Sequence, residues 1–116
     1  MIDGITNQIE HYMDLLSARQ KLVASNIANI DTPGYKTKDI DFQAEFQSLI
    51  SGNSAAPQPP HVSDSPGLGV KSDGNNVSLD RETRLLAETA LRFSVASTLM
   101  KNQLRTMQSA IKEGQS

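Results

Sequence analysis

The side chains that could do acid–base or metal chemistry are few in this 116-residue chain. Asp39, Asp41 and Glu45 stand close together, but paired catalytic carboxylates need an apolar cleft that separates their pKa values. The sequence has little apolar material from which to build a cleft, so we interpret these carboxylates as a solvated face. His11 and His61 are the only histidines, and neither has a third metal ligand at helical spacing. The sequence therefore predicts no catalytic residue, no metal site and no cofactor.

Composition excludes several other classes of protein. The formal charge is −2, whereas nucleic-acid binding normally needs a clustered basic face. Residues 67–72, GLGVKS, lack the glycine directly before Lys-Ser that a phosphate-binding loop requires. There is no cysteine, and no apolar run approaches the length of a transmembrane helix. We expect no nucleic acid, no small-molecule substrate, no disulfide and no transmembrane segment.

The most specific local pattern is ASNIANIDTPGYK, residues 24–36. The ring of Pro33 pushes Thr32 out of the α region, which ends a preceding helix. Pro33 and Gly34 supply the fixed φ and the positive φ of a type II turn. Tyr35 is an amphipathic residue suited to lying over an apolar surface with its hydroxyl in water. The pattern predicts a helix, a hard turn and a polar patch.

Asn26 and Asn29 are three residues apart and share one face of the predicted helix. One interpretation is that they cap the helix end. The other is that their amides bind neighbouring chains or hold the turn against Tyr35. We define the candidate assembly and turn motif as Asn26, Asn29, Thr32, Pro33, Gly34 and Tyr35.

Two long segments show apolar residues at alternating spacings of three and four, which is typical of helices that supercoil against a partner. In the first segment Arg19 and Asn26 interrupt the apolar series, as polar residues that set register do. The predicted seam of the first helix contains Ile9, Tyr12, Leu16 and Val23. The predicted seam of the second helix contains Leu86, Phe93, Met100, Leu104, Met107 and Ile111.

The segment between the long helices has two parts. Phe42, Phe46 and Leu49 recur at helical spacing, which predicts a short amphipathic helix from about Asp41 to Ser51. Residues 52–76 are rich in Gly, Ser, Asn and Pro, and we expect a flexible, poorly ordered loop there, with a short hairpin as the alternative. The predicted fold is all-α, an antiparallel coiled-coil hairpin of two long helices. The predicted regions are 1–36, 37–77 and 78–116.

Such a hairpin is a poor independent fold, because two helices share one interface and small domains need additional support. Each helix also carries more apolar residues than one seam uses, and that surface needs cover. The sequence itself therefore predicts partner chains. Only 37% of the residues are hydrophobic, which agrees with a thin core.

NIANIDTPGYK closely resembles the N-terminal signature of the bacterial flagellar axial proteins, the family of rod, hook and hook-filament junction subunits. The following KDIDF resembles the version found in a proximal rod subunit. Residues 73–114, DGNNVSLDRETRLLAETALRFSVASTLMKNQLRTMQSAIKEG, resemble the C-terminal helix of the same subunit. The resemblance implies a non-enzymatic structural subunit of the basal-body rod that transmits torque for motility. The alternatives are another small axial protein and a cytosolic coiled-coil adaptor.

The resemblance also implies partners and location. The partners would be other copies of the chain, neighbouring rod proteins and the rod base adaptor at the membrane ring. The N-terminus lacks a basic region, an apolar core and a cleavage site, so it is not a cleaved signal peptide. Flagellar axial proteins leave the cell through the flagellar type III export apparatus without one. We therefore expect the chain in the rod, where it crosses the periplasm.

Overall fold

The computed structural model describes residues 2–51 and 59–114, with the backbone alone for residues 2 and 3. The described part is elongated, with extents of 70 × 27 × 16 Å. In chain order its elements are α1 (Ile2–Ala28), β1 (Lys38–Ile40), α2 (Phe42–Ser51), β2 (Val62–Asp64) and α3 (Leu79–Gly114). The predicted all-α class with two long terminal helices is confirmed.

Helices α1 and α3 form an antiparallel hairpin. Asn26 near the end of α1 contacts Glu82 near the start of α3, and Tyr12 contacts Arg92 farther along. The core between the elements is thin, and its buried apolar residues are Leu15, Leu16, Val23, Ile40, Val77 and Ala96. No helix in the described ranges has the length and apolar character that a membrane span needs.

The ends of the helices follow local chemistry. Asp41 precedes α2, and its Oδ1 accepts a hydrogen bond from the amide of Ala44 at 3.2 Å. Ser78 precedes α3, and its Oγ accepts a bond from the amide of Arg81 at 3.2 Å. Both are N-caps that satisfy donors left free in the first turn. The boundaries predicted for α2 and for the start of α3 are therefore confirmed.

The segment expected to be a loop, residues 52–76, contains one short strand in the part that the structure describes. Residues 52–58 of the expected loop lie outside the described residues. Strand β2 pairs antiparallel with β1, with Asp39 opposite Ser63 and Ile40 opposite Val62. Ile40 is buried, so the pair of strands buries only one apolar side chain. The apolar count of this segment is too low to reveal a sheet that is held mainly by backbone hydrogen bonds.

Helix α3 buries a column of residues that lies beside the predicted seam. Its buried residues are Glu82, Thr89 and Ala96, which recur every seven residues. The large apolar residues of the predicted seam lie at the surface, with exposures of 39% for Leu86, 40% for Phe93, 46% for Leu104 and 59% for Ile111. Met100 and Met107 are half-buried. Small side chains at the contact let the two helices approach closely.

Candidate functional site

The predicted turn after α1 is present at Thr32–Tyr35. The amide of Tyr35 donates to the carbonyl oxygen of Thr32 at 3.2 Å, and Gly34 has a φ of 75°. A positive φ at this position is the requirement of a type II turn, and glycine meets it without strain. The positive φ predicted for Gly34 is confirmed. Helix α1 itself ends earlier than Thr32, at Ala28.

A second turn, at residues 71–74, docks on the first together with the residues that follow it. The amide of Gly34 donates to the carbonyl oxygen of Asp73 at 2.9 Å. The amide of Asn76 donates to the carbonyl oxygen of Tyr35 at 3.2 Å. Gly74 has a φ of 87°, and a Cβ built there would lie 3.3 Å from the Cα of Gly34. The two turns are therefore in backbone contact. Gly74 allows the close approach, and Gly34 supplies the positive φ of the first turn.

Two asparagine side chains complete this contact. The Nδ2 of Asn75 donates to the carbonyl oxygens of Asn29 and Thr32 at 2.9 and 2.8 Å. The Oδ1 of Asn76 accepts a bond from the amide of Thr37 at 2.7 Å. Both asparagines are buried, so they satisfy backbone groups that water cannot reach. Neither asparagine belongs to an apolar period, and the run DGNN shortly before α3 is the sequence signal that marks them.

Asn26 is the centre of the junction between the turn, β1 and α3, and it is only 1% exposed. Its Nδ2 donates to the carbonyl oxygen of Lys38 at 2.8 Å and to the Oε1 of Glu82. Its Oδ1 accepts bonds from the Tyr35 hydroxyl at 2.9 Å and the Lys38 amide at 3.0 Å. A side-chain amide has two donors and one oxygen with two lone pairs, so all its bonds are made inside the chain. Asn26 thus holds the turn against Tyr35 and has no bond left for a neighbouring chain.

Asn29 behaves differently. Its Nδ2 donates to the carbonyl oxygen of Ser25 at 2.8 Å, and its Oδ1 accepts a bond from the Thr32 hydroxyl at 3.0 Å. These contacts satisfy groups at the end of α1, which is the capping interpretation. Thr32, Pro33 and Gly34 are exposed around it. Participation of this exposed part of the motif in assembly stays a prediction.

A chain of charges extends from Asn26 to the surface. Asp39 accepts bonds from Arg81 at 2.7 Å and from Arg19 at 3.0 and 3.2 Å, and its side chain is 13% exposed. Arg81 also donates to both carboxylate oxygens of Glu82 at 3.1 Å. The expectation that Asp39 lies on a solvated face is therefore wrong, because two guanidinium groups from α1 and α3 enclose it. Sequence spacing could not reveal this, since the three residues belong to different elements.

Glu82 is fully buried. Burial raises the pKa of its carboxyl, while the hydrogen bond from Asn26 and the charge of Arg81 lower the pKa and offset part of that shift. The charge of a carboxylate buried in this way is stabilised by its hydrogen-bond partners. Removal of one partner leaves the charge poorly compensated, because water cannot reach it. The junction is therefore sensitive to the loss of either Asn26 or Arg81.

An aromatic cluster attaches α2 to the hairpin. The ring of Tyr12 lies 5.9 and 5.4 Å from the rings of Phe42 and Phe46, edge to face in each case. The guanidinium groups of Arg19 and Arg92 lie 5.4 and 5.7 Å from the centre of the Phe42 ring, within cation–π range. Arg92 also donates to the Tyr12 hydroxyl at 3.3 Å, which raises the pKa of Arg92. One cluster thus joins all three helices.

The predicted seam of α1 lies where the hairpin closes, with Leu16 and Val23 buried and Ile9 and Tyr12 half-buried. The histidines do not converge on a site, since the ring of His61 is 92% exposed beside Glu45. Within the described ranges, no group of three His, Asp or Glu side chains could hold a metal ion. The arrangement positions chain segments, and its polar groups are used for hydrogen bonds between elements.

Comparison with known proteins agrees with this geometry. The profile of the family described as "Flagella basal body rod protein" matches residues 13–36, which contain the junction asparagine and the turn. The chain is 30% identical to the flagellar basal body rod protein FlgB of Yersinia ruckeri, over 97% of both chains. It is also 30% identical to the FlgB proteins of Salmonella typhimurium and Escherichia coli K12, over 97% of this chain and 96% of each relative.

Proposed function

Because this chain belongs to the FlgB family of flagellar basal body rod proteins, it is a structural subunit of the bacterial flagellar rod, and we propose that it assembles there through the exposed apolar residues of α3. The proposed partners are further copies of the chain and neighbouring rod proteins. Two more proposed partners are the rod base adaptor at the membrane ring and the flagellar type III export apparatus. These last two partners rest on the family resemblance.

The observation that supports this proposal is the exposure of large apolar residues on α3. Glu82, Thr89 and Ala96 face α1, while the larger Phe93 and Leu104 remain at the surface. Exposed apolar stripes of this kind are typical of surfaces that another chain covers. The regular spacing of the stripe, in steps of three and four, suits a partner helix. The stripe therefore supplies subunit contacts, and the hairpin presents it.

The polar junction has a distinct part in the proposal. It connects the end of α1, the turn, β1 and the start of α3 through the four hydrogen bonds of Asn26. Such a network has one geometry in which every buried group is satisfied, so it specifies a single register for the two helices. A rod that transmits torque needs subunits with one shape. The junction fixes that shape and leaves the apolar residues Phe93 and Leu104 of α3 exposed.

The decisive experiment replaces stripe residues and compares rods. We expect the Phe93→Ala and Leu104→Ala double variant to leave the subunit helical but to reduce completed rods and swimming strongly. Truncation of a large side chain buried at an interface costs about 2–5 kcal/mol. Glu88→Ala is the matched control, because Glu88 is on the same helix and its exposed i,i+4 pair with Arg92 contributes little. Normal swimming of the double variant, at normal subunit levels, would contradict the proposal.

A further inference from the structure

The two outer edges of the hairpin carry opposite charges. The acidic edge, on α1, consists of the exposed Glu10 and Asp14, and the exposed Lys21 lies on the same side about two turns farther along the helix. The basic edge, on α3, consists of the exposed Lys101, Arg105 and Lys112. We propose that a second copy of this chain binds edge to edge, with the acidic edge of one subunit against the basic edge of the next. The inference rests on the proposed function and names the surface for contact between like subunits.

Helical spacing places the two edges on opposite sides of the molecule. Asp14 precedes the buried Val23 by nine residues, and Arg105 follows the buried Ala96 by nine residues. Nine residues are about two and a half turns at 3.6 residues per turn, so each charged side chain points away from the α1–α3 interface. The edges therefore cannot pair within one chain. They can pair only between chains.

The charges of both edges are free for a partner. Within residues 2–51 and 59–114, none of the five side chains takes part in an ion pair. The exposed apolar residues Leu104 and Ile111 precede Arg105 and Lys112 directly, so they flank the basic edge. The apolar residues supply area to bury, while the charges select the partner and its orientation, which is what surface charges do best.

The contact joins two different surfaces, so it is heterologous and leaves a free edge at each end of any pair. Asp14 lies close to the level of Arg92 in its own subunit, because Tyr12 is bonded to Arg92. Bringing it to Arg105 of a neighbour requires an axial shift of about 13 residues, or roughly 20 Å at 1.5 Å per residue. A repeated shift along the axis prevents closure into a ring. The contact therefore builds a helical array.

Cysteine cross-linking tests the contact in the full-length chain, which has no native cysteine. A disulfide needs Cα atoms within about 7 Å, which the opposite edges of one hairpin do not meet. In cells, we expect the Asp14→Cys and Arg105→Cys double variant to give a ladder of cross-linked multimers. The matched control is Lys21→Cys with Arg105→Cys, because Lys21 is exposed on the same side of α1, about 10 Å away. We expect about tenfold less ladder from the control.

Charge reversal provides the second arm. Glu10→Lys with Asp14→Lys, or Lys101→Glu with Arg105→Glu and Lys112→Glu, should each abolish rod completion while circular dichroism shows unchanged helix content. Both reversals in one chain exchange the edges and should restore rods. Co-expression of the two single-edge variants should also restore them, because an all-acidic subunit then alternates with an all-basic one.

Three results would overturn the inference: no ladder, a ladder that joins this chain only to a different rod protein, or failure of the combined reversal to restore rods. Each leaves the role as a rod subunit standing, provided that the unmodified chain is found in purified basal bodies. Absence of the unmodified chain from basal bodies would instead remove the proposed assembly itself. The failure of the inference and the failure of the proposed function are therefore distinguishable.

Discussion

Replacement of Asn26 by alanine gives the sharpest test of the polar junction. The change removes all four hydrogen bonds of a side chain that is 1% exposed. It leaves the Oε1 of the fully buried Glu82 without its asparagine donor. The amide and carbonyl of Lys38 lose their partners in the same step.

The expected loss follows from these groups. A hydrogen bond contributes about 0.5–1.5 kcal/mol net, and a buried polar group without a partner costs about 1–3 kcal/mol. Tyr35 and Lys38 are half-buried and can recover part of the loss through water, whereas Glu82 cannot. We therefore expect Asn26→Ala to lower the free energy of unfolding by about 3–5 kcal/mol, a large part of the stability of a small domain.

Urea denaturation followed by circular dichroism measures the global effect, and hydrogen exchange of the Lys38 amide measures the local one. Asn29→Ala is the control, because Asn29 makes its two side-chain bonds at the surface. Removal of such an end cap costs about 0.5–2 kcal/mol. If the two variants lose the same stability and Lys38 exchanges as slowly as in the unmodified chain, the junction does not hold the turn.

Two further predictions concern the turn and the buried carboxyl. Gly34→Val forces a β-branched residue to a φ of 75°, which costs about 1–3 kcal/mol. We expect the subunit to be exported and electron microscopy to show no completed rods. Gly34→Asn should reduce rod completion less, because asparagine tolerates this φ. Burial raises the pKa of Glu82 in the folded state above the ordinary value of 4.5, so the folded state binds the proton more tightly than the unfolded state. The contribution of this group to the free energy of unfolding therefore falls as pH rises from 4.5 through the folded-state pKa. Urea titrations from pH 4 to 7 should show a flatter pH dependence for Glu82→Gln, and an unchanged slope would show that Glu82 does not titrate differently on folding.

The elements of this protein are predictable from the sequence because they depend on neighbours along the chain. Helix α3 follows from its apolar period and from Ser78 as its cap. The turn follows from the φ preferences of Pro33 and Gly34. Membership of the flagellar rod family follows from the same local signatures, since the matched segment, residues 13–36, is one continuous stretch.

The polar junction depends on tertiary structure because its members are far apart in the chain. Asn26 and Glu82 are separated by more than fifty residues, as are Arg19 and Arg81, and each is an ordinary polar residue in its local context. Only the antiparallel hairpin brings them to one place. Local sequence therefore predicted Asn26 as important, and tertiary structure decided that its bonds are internal.

The orientation of α3 is also a tertiary property. Its apolar period identifies a stripe that includes Phe93 and Leu104, but a period does not say which chain covers the stripe. Glu82 is bonded to Asn26 and Arg81 at the start of the helix, and this anchor turns the small residues Thr89 and Ala96 toward α1. The sequence alone predicts that α3 is a helix with an apolar stripe. Tertiary packing places Glu82, Thr89 and Ala96 at the contact with α1 and leaves Phe93 and Leu104 of the stripe partly exposed.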